Sequence, residues 1–234
     1  MVKKNNIAII PARGGSKRIP QKNIIDFFGK PMIAWTIEAA QQSGIFDRIL
    51  VSTDDEEIAQ VARSFGIEVP FLRDKHYDDD APVSDGTITA LEQLKEQLGE
   101  EYHNIFQLMP NCPLRKKEQI IDAYNHFSGS GALFQISCFK FGWMNPRWAV
   151  ELDEKLQPRF IFPEAFEKRS QDMGPLYCPS GAIWIARESA LMSFGSFYGK
   201  PLTFYPIDWK NAIDIDDLDD LEMTKVLFSV KADK

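Results

Sequence analysis

The chain has 234 residues and a mass of 26.7 kDa, enough for one large or two small domains, since domains are typically about 100–200 residues long. Hydrophobic residues make up 44% and charged residues 26%, which excludes disordered, collagen-like and coiled-coil chains. The net charge of −7 provides no general attraction for a polyanion, so we expect no nucleic-acid partner. We interpret residues 1–234 as a single domain.

The sequence also predicts the cellular setting. No window approaches the ~18 consecutive apolar residues of a membrane span, and the first apolar run is too short for a secretion signal. We therefore expect a cytoplasmic protein without a membrane partner. Cys112, Cys138 and Cys178 are far apart and lack CxxC spacing, so they indicate neither a disulfide framework nor a zinc site.

The predicted elements alternate in type along most of the chain. Short apolar runs rich in β-branched residues predict strands, and segments of helical period predict helices, which together indicate βαβ units and a mainly parallel sheet. A capping box beginning at Thr53 or Asp54 is expected to start the second helix. Strands are predicted at 7–11, 48–53, 67–73, 104–109, 132–139, 181–187, 202–207 and 212–216. Helices are predicted at 31–44, 58–66, 88–98, 120–127 and from about 217 to 226.

Residues 140–168 break this alternation. The segment is rich in aromatic residues and proline and has no clean helical period. Such an apolar, irregular segment either covers the core or makes a subunit contact, and the residues alone leave both open.

The loop after the first strand carries the clearest functional pattern. It reads PARGGSKRIPQKN at 11–23, with adjacent glycines Gly14 and Gly15 and four cations, Arg13, Lys17, Arg18 and Lys22. Ligands of open α/β sheets bind at the carboxyl ends of strands, and glycines there let backbone N–H groups approach an anion. The loop therefore predicts a polyphosphate site, the alternative being a solvated basic loop. The dinucleotide fingerprint and the P-loop motif are both absent, which disfavours a dehydrogenase and a P-loop kinase.

At this loop the chain closely resembles the cytidylyltransferases that activate sialic acid and related nonulosonic acids as CMP-sugars. The resemblance extends over nearly the whole chain, in blocks at 51–54, 71–73, 113–115, 169–172, 181–183 and 213–216. The family signature P-A-R-x-x-S-K-x-x-P-x-K-N is matched by Pro11, Ala12, Arg13, Ser16, Lys17, Pro20, Lys22 and Asn23.

The resemblance implies a fold and a set of roles. The implied fold is α/β and Rossmann-like, of the nucleotidyltransferase type, with a mainly parallel doubly wound sheet and a small dimerisation insertion at 140–168. Members of the family pair through such an insertion, so a homodimer is expected. The implied catalytic residues are Arg13, Lys17, Lys22 and Asp216. The implied nucleotide-binding residues are Ala12, Arg13, Gly14, Gly15, Ser16, Asn23, Arg73 and Ser84.

An aspartate pair near the C-terminus predicts a Mg²⁺ site. On a strand, Asp214 and Asp216 would project to the same side, about 7 Å apart, while Ile213 and Ile215 enter the core. Two carboxylates so placed can share Mg²⁺ with phosphate oxygens and water, and the resemblance implies the same ligands. The alternative is an acidic helix start, which suits the aspartates after Asp216 better than it suits Asp214.

The residues that would bind the sugar acid are less well defined by the sequence than those that would bind the nucleotide. The resemblance implies sugar contacts at Met109, Arg169, Gln171 and Ser180, and an arginine fork matches a carboxylate well. Arg169 could equally form a surface ion pair with a nearby acid. The chain also departs from its relatives, which commonly have Gln where Met109 stands and Asn where Ser180 stands.

The resulting hypothesis is a CTP-dependent enzyme. The anomeric hydroxyl of a nine-carbon keto sugar acid, such as N-acetylneuraminic, pseudaminic or legionaminic acid, would attack the α-phosphorus of CTP and expel pyrophosphate. The alternatives are transfer to the eight-carbon acid Kdo, a glycosyltransferase with a D-x-D magnesium site, and a non-catalytic nucleotide-sugar-binding protein of the same fold. Glycosyltransferases of that type lack the basic loop after strand one.

Overall fold

The computed structural model describes residues 4–75 and 82–232. Its strands are β1 (Lys4–Pro11), β2 (Asp26–Phe27), β3 (Lys30–Pro31), β4 (Arg48–Ser52), β5 (Tyr102–Gln107), β6 (Phe134–Lys140), β7 (Val150–Leu152), β8 (Pro158–Phe160), β9 (Tyr177–Arg187) and β10 (Leu202–Pro206). Its helices are α1 (Met32–Ser43), α2 (Glu56–Ser64), α3 (Val83–Leu98), α4 (Lys117–Ser130), α5 (Glu188–Phe194) and α6 (Leu218–Ala232).

The central sheet has six strands in the order β10, β6, β9, β5, β1, β4. β1 pairs in parallel with β4 and β5, and β6 pairs in parallel with β10. β9 runs antiparallel to both of its neighbours, β5 and β6. The predicted mainly parallel α/β sheet is confirmed, with one reversed strand inside it.

Helices cover both faces of this sheet, as β1 illustrates. Ala8 and Ile10 pack into one apolar cluster with residues of α1, α2 and α4, and Ile7 and Ile9 pack into another with residues of α3 and α5. A strand buried on both faces needs apolar side chains at every position, which explains the uninterrupted apolar run. The doubly wound arrangement is therefore confirmed.

The residue that caps the N-terminus of α2 is not one of those predicted. Asp55, rather than Thr53 or Asp54, is the N-cap, and its side chain accepts hydrogen bonds from the backbone N–H groups of Glu57 and Ile58. The predicted capping box is wrong because Asp54 is used elsewhere, as described below. The predicted end of α1 is confirmed, since Gly44 adopts a φ of +66° at its C-cap.

Two predicted strands are wrong. Residues 67–73 form no strand, because β4 already ends the sheet order and the buried side chains of Ile67 and Val69 pack into the helix-covered cluster instead. Residues 212–216 also form no strand, although Ile215 donates its backbone N–H to the carbonyl of Asn111. Both segments thus contain buried apolar residues without a paired strand ladder.

Residues 140–168 lie largely on the surface. They contain a short hairpin, β7 and β8, whose residues are all exposed, and Ala165 is the buried residue of the segment. Trp143 is 82% exposed and Trp148 38% exposed. The interpretation that this segment covers the core of its own chain is therefore wrong.

None of the helices within residues 4–75 and 82–232 combines the length and the apolar character that crossing a membrane requires.

Candidate active site

A pocket of about 230 Å³ opens at the carboxyl ends of β1 and β5. This is the edge of an open α/β sheet at which ligands bind. Its walls come from the loop after β1, the loop after β5, the start of α3, and the loop before α6. The lining residues are Pro11, Arg13, Ser16, Arg18, Lys22, Asn23, Arg73, Pro82, Val83, Gly86, Met109, Pro110, Asn111 and Asp216.

The loop after β1 supplies the cationic wall, as predicted. Arg13, Ser16, Lys22 and Asn23 all line the pocket, and buried Asn23 donates its side-chain amide to the carbonyl of Arg13 over 2.9 Å. Lys17 is exposed and lies outside the lining set. The buried amide of Asn23 therefore fixes the loop on which the pocket cations stand.

The two loop glycines, predicted to let backbone N–H groups approach an anion, have different surroundings. Gly14 donates its N–H to Asp54 over 3.0 Å, and a Cβ there would come within 2.5 Å of Asp55 Oδ2. Gly15 is exposed, and a Cβ there would meet nothing within 4 Å. Ala12 is buried and donates its N–H to the carbonyl of Ser52. Gly14 is thus required by the close approach of the loop after β4.

Lys22 and Asp216 form the centre of the pocket. Lys22 Nζ lies 3.0 Å from Asp216 Oδ1, and Arg18 Nη2 lies 3.2 Å from Asp216 Oδ2. Burial acts to raise the pKa of Asp216, but the hydrogen bonds and charges of the two cations outweigh it and hold the pKa below its ordinary value. The carboxylate is therefore ionised and faces the pocket.

Asp214 has a different environment. Its Oδ1 accepts a hydrogen bond from the Cys112 thiol over 2.6 Å, and its Oδ2 accepts the N–H of Gly181 over 3.1 Å. Burial, assisted by the charge of Asp216, raises its pKa against the effect of these hydrogen bonds. The predicted placement of both carboxylates on one face of a strand is wrong, because residues 212–216 form no strand and Asp216 lines the pocket whereas Asp214 does not.

Arg73 forms the opposite wall. Its side chain is 3% exposed, its Nη1 lies 3.4 Å from the carbonyl of Ser52, and its buried Nε has no hydrogen-bond partner among residues 4–75 and 82–232. Burial, together with the nearby charge of Arg13, lowers its pKa against the charge of Asp54. Ser84 is buried in the first turn of α3, beside pocket-lining Val83 and Gly86.

The structure brings only one of the four predicted sugar-binding residues into the pocket wall, namely Met109. Ser180 is buried, and its hydroxyl lies 2.9 Å from that of Ser137. Arg169 is exposed and forms an ion pair with Asp172 at 2.9 Å, which is the alternative left open by the sequence. Gln171 is exposed and outside the lining set.

Sequence reasoning missed several residues of the site. Asn111 lines the pocket and donates its side-chain amide to the carbonyl of Ile215 over 3.1 Å and to Asp216 over 3.4 Å. Gly86 lets Arg73 approach α3, since a Cβ there would lie 2.8 Å from Arg73 Nη1. The position of Asn111 directly after an inner strand was the signal available in the sequence.

Comparisons with known proteins identify the family of this chain. The family described as Cytidylyltransferase matches residues 7–130, which is more than half of the chain. The chain is 36% identical to pseudaminic acid cytidylyltransferase of Campylobacter jejuni subsp. jejuni serotype O:23/36 (strain 81-176), over 96% of this chain and 97% of that relative. It is 34% identical to CMP-N,N'-diacetyllegionaminic acid synthase of Legionella pneumophila, over 96% of each chain.

A solved structure extends the likeness to the fold. CMP:2-keto-3-deoxy-manno-octonic acid synthetase complexed with CTP superimposes with a TM-score of 0.70, covering 97% of this chain and 100% of that one. At 17% identity this likeness concerns the fold alone. Because the family match and the two relatives together cover nearly the whole sequence, this chain belongs to the cytidylyltransferase family.

Proposed function

We propose that this enzyme transfers CMP from CTP to the anomeric hydroxyl of a nonulosonic acid, giving a CMP-sugar and pyrophosphate. The observation that carries the proposal is the pocket in which the cations of the first loop face Asp216 on one side and buried Arg73 on the other. The names of the relatives direct the choice of acceptor toward pseudaminic and legionaminic acid, with N-acetylneuraminic acid as a further candidate.

The nucleotide fits this pocket by charge and hydrogen bonding. Arg13 and Lys22 supply positive charge for the triphosphate, and we assign Lys17 to the same role from the loop rim. The guanidinium of Arg73 is buried, and its Nε–H has no acceptor within the part of the chain that the structure describes, which is costly unless a ligand accepts it. These features support triphosphate binding along the first loop and base or ribose binding near Arg73, Ser84 and the start of α3.

The donor set of the pocket is compatible with Mg²⁺. The described residues contain no group of three or more His, Cys, Asp or Glu side chains suited to hold a metal. Mg²⁺ does not need one, because it usually binds one or two carboxylates together with phosphate oxygens and water. Asp216, with Asp214 behind it, would hold the ion. Bound there, Mg²⁺ would neutralise phosphate charge as a Lewis acid.

The residues of the chain then act mainly by positioning. Arg13 and Lys22 would orient the triphosphate for in-line attack and stabilise the charge that moves onto pyrophosphate. Asp216 is poorly suited to accept the proton of the attacking hydroxyl, because Lys22 and Arg18 lower its pKa and so make it a weaker base. We therefore assign no residue as general base.

The acceptor would lie beside Met109 and Asn111, next to Asp216. In this position the thioether of Met109 offers an apolar surface that the common glutamine would not. Arg169, Gln171 and Ser180 lie outside the pocket wall of the single chain, so their proposed sugar contacts would require either movement of this segment or a neighbouring subunit.

We further propose a homodimer formed through residues 140–168. The exposed apolar side chains of this segment include Trp143, Trp148, Phe160 and Phe162, and patches beyond a few hundred Å² are rare on monomers. Aromatic residues are enriched at interface cores. Use of CTP as a substrate supports a cytoplasmic location.

The decisive experiment measures pyrophosphate release with CTP and Mg²⁺ and a panel of acceptors. The panel contains pseudaminic, legionaminic, N-acetylneuraminic and Kdo acids. We expect turnover with at least one nine-carbon acid and none with Kdo. Turnover with Kdo alone would replace the proposed acceptor, and CTP binding without turnover on any acid would favour a nucleotide-sugar-binding protein.

A further inference from the structure

We propose that Cys112 is a positioning residue: its thiol, by hydrogen bonding to Asp214, fixes the second carboxylate of the metal site. Cys112 touches neither the pocket nor a proposed ligand and acts only through Asp214. The inference rests on the proposed function, because it assumes that a divalent cation accompanies CTP at Asp216 and Asp214.

The contact between the two side chains is buried and short. Cys112 is 1% exposed, and its Sγ lies 2.6 Å from Asp214 Oδ1. The second oxygen accepts the N–H of Gly181, and a Cβ at residue 181 would come within 3.0 Å of Oδ1 and 3.3 Å of Oδ2. Asp214 is thus held from two sides, by one side chain and one backbone group, and it lies close against Gly181.

The Cys112 thiol orients the Asp214 carboxylate through a hydrogen bond, which the nearby positive charge of Arg115 does not provide. Arg115 is buried, and its charge acts to lower the pKa of Asp214. Its guanidinium donates instead to Thr36 Oγ1 and to the carbonyls of Met109 and Ala182. Arg115 therefore stabilises the carboxylate electrostatically, whereas Cys112 is the side chain that donates a hydrogen bond to it.

The same loop holds the neighbouring part of the site. Asn111 accepts the backbone N–H of Ile215 and donates its side-chain amide toward Asp216, so residues 111 and 112 together hold residues 214–216. Side chains that orient metal-binding groups in this way typically contribute 10–100-fold to metal affinity or activity. Loss of the Cys112 donor should therefore weaken metal binding while the first-loop cations remain in place.

The experiment compares Cys112→Ser with Cys112→Ala, which have almost the same volume and differ by one hydroxyl donor. Cys112→Val is a second variant without a donor, and it fills the space that water could occupy beside alanine. Cys138→Ala removes another buried thiol outside the site and controls for loss of packing. Electron paramagnetic resonance of free Mn²⁺, compared with the same Mn²⁺ and CTP mixture without protein, gives the Mn²⁺ affinity of each protein in the presence of CTP, and thermal unfolding reports the fold.

We expect Cys112→Ala and Cys112→Val to weaken Mn²⁺ binding about 10–100-fold, and Cys112→Ser and Cys138→Ala to stay within about threefold of the wild type. Equal Mn²⁺ affinity of the serine and alanine variants would overturn the inference, as would wild-type protein that binds no Mn²⁺ with CTP. If Cys112→Ala and Cys112→Val both fail to fold while Cys138→Ala folds, the role of the Cys112 thiol is purely structural and the inference is wrong. A failure of the proposed function can be told apart from a failure of this inference. In that case the wild-type protein would bind Mn²⁺ and CTP but form no CMP-sugar.

Discussion

The pocket and the 140–168 segment differ in what their side chains contact. In the pocket, Lys22, Arg18 and Asn111 all contact Asp216, and the buried amide of Asn23 holds the loop that carries the cations. In the segment, Trp143, Phe160 and most of their neighbours are exposed to solvent.

The two regions therefore differ in how far the single chain positions their side chains. The polar side chains of the pocket are preorganised by the fold, so a ligand finds its charges already positioned. The apolar side chains of the segment are largely exposed apart from contacts among themselves, such as that of Phe160 with Phe166, and the homodimer proposed above would bury them. Substitutions in the pocket should therefore reduce turnover directly, whereas substitutions in the segment should weaken subunit assembly and reduce activity with it.

The largest effect is expected for Asp216→Asn. Turnover should fall by about a thousandfold while CTP affinity changes much less, because charge neutralisation matters most as the α-phosphorus bond breaks. Steady-state kinetics and calorimetric CTP binding measure the two quantities. Asp219→Asn, in the exposed first turn of α6, is the matched control and should be neutral. Equal losses of turnover and CTP affinity would make Asp216 merely structural.

The next effect is that of Lys22→Ala. Loss of a preorganised cation from the pocket should cost about 2–4 kcal/mol in kcat/KM. The control is Lys30→Ala, which removes a lysine paired with Glu38 outside the pocket wall and should leave kcat/KM unchanged. A decrease in kcat/KM of less than tenfold for Lys22→Ala would indicate that the triphosphate binds elsewhere than at this loop.

Trp148→Asp tests the other region. An unpaired carboxylate in a desolvated contact is costly, so the dimer should weaken by at least about 30-fold in Kd, and activity should fall with it. Sedimentation at micromolar concentration measures the assembly. Val226→Asp, on exposed α6, should leave the dimer intact. Wild-type chain that sediments as a fully active monomer of 26.7 kDa would refute the proposed interface.

The smallest effect is expected from a pair of helical glycines. Gly86→Ala should raise the KM for CTP about tenfold, because its Cβ would displace the buried Arg73 guanidinium by a few tenths of an ångström. Gly129→Ala, in α4, meets nothing within 4 Å and should raise the free energy of unfolding by about 0.5–1 kcal/mol. An unchanged KM for CTP in Gly86→Ala would indicate that Arg73 does not take part in nucleotide binding.

The sequence by itself was sufficient to predict the six strands of the sheet, although it also predicted two strands that do not form, and it was sufficient to predict the loop that carries the pocket cations. Apolar runs such as residues 7–11 are buried on both faces, so their composition alone predicts inner strands. Because the carboxyl end of such a strand opens a ligand site, the following PARGGSK loop could be assigned to it. These are local signals whose meaning does not depend on distant residues.

Only the tertiary structure decided how distant residues meet. It placed Asp216 against Lys22 and Asp214 against Cys112, although the sequence predicted both carboxylates on one face of a strand. It also reversed β9 within the sheet and used Gly14 to admit Asp55. The physical reason is that the pKa and partners of a carboxylate depend on burial and on charges brought in by other segments, and no local pattern around residues 214–216 encodes either.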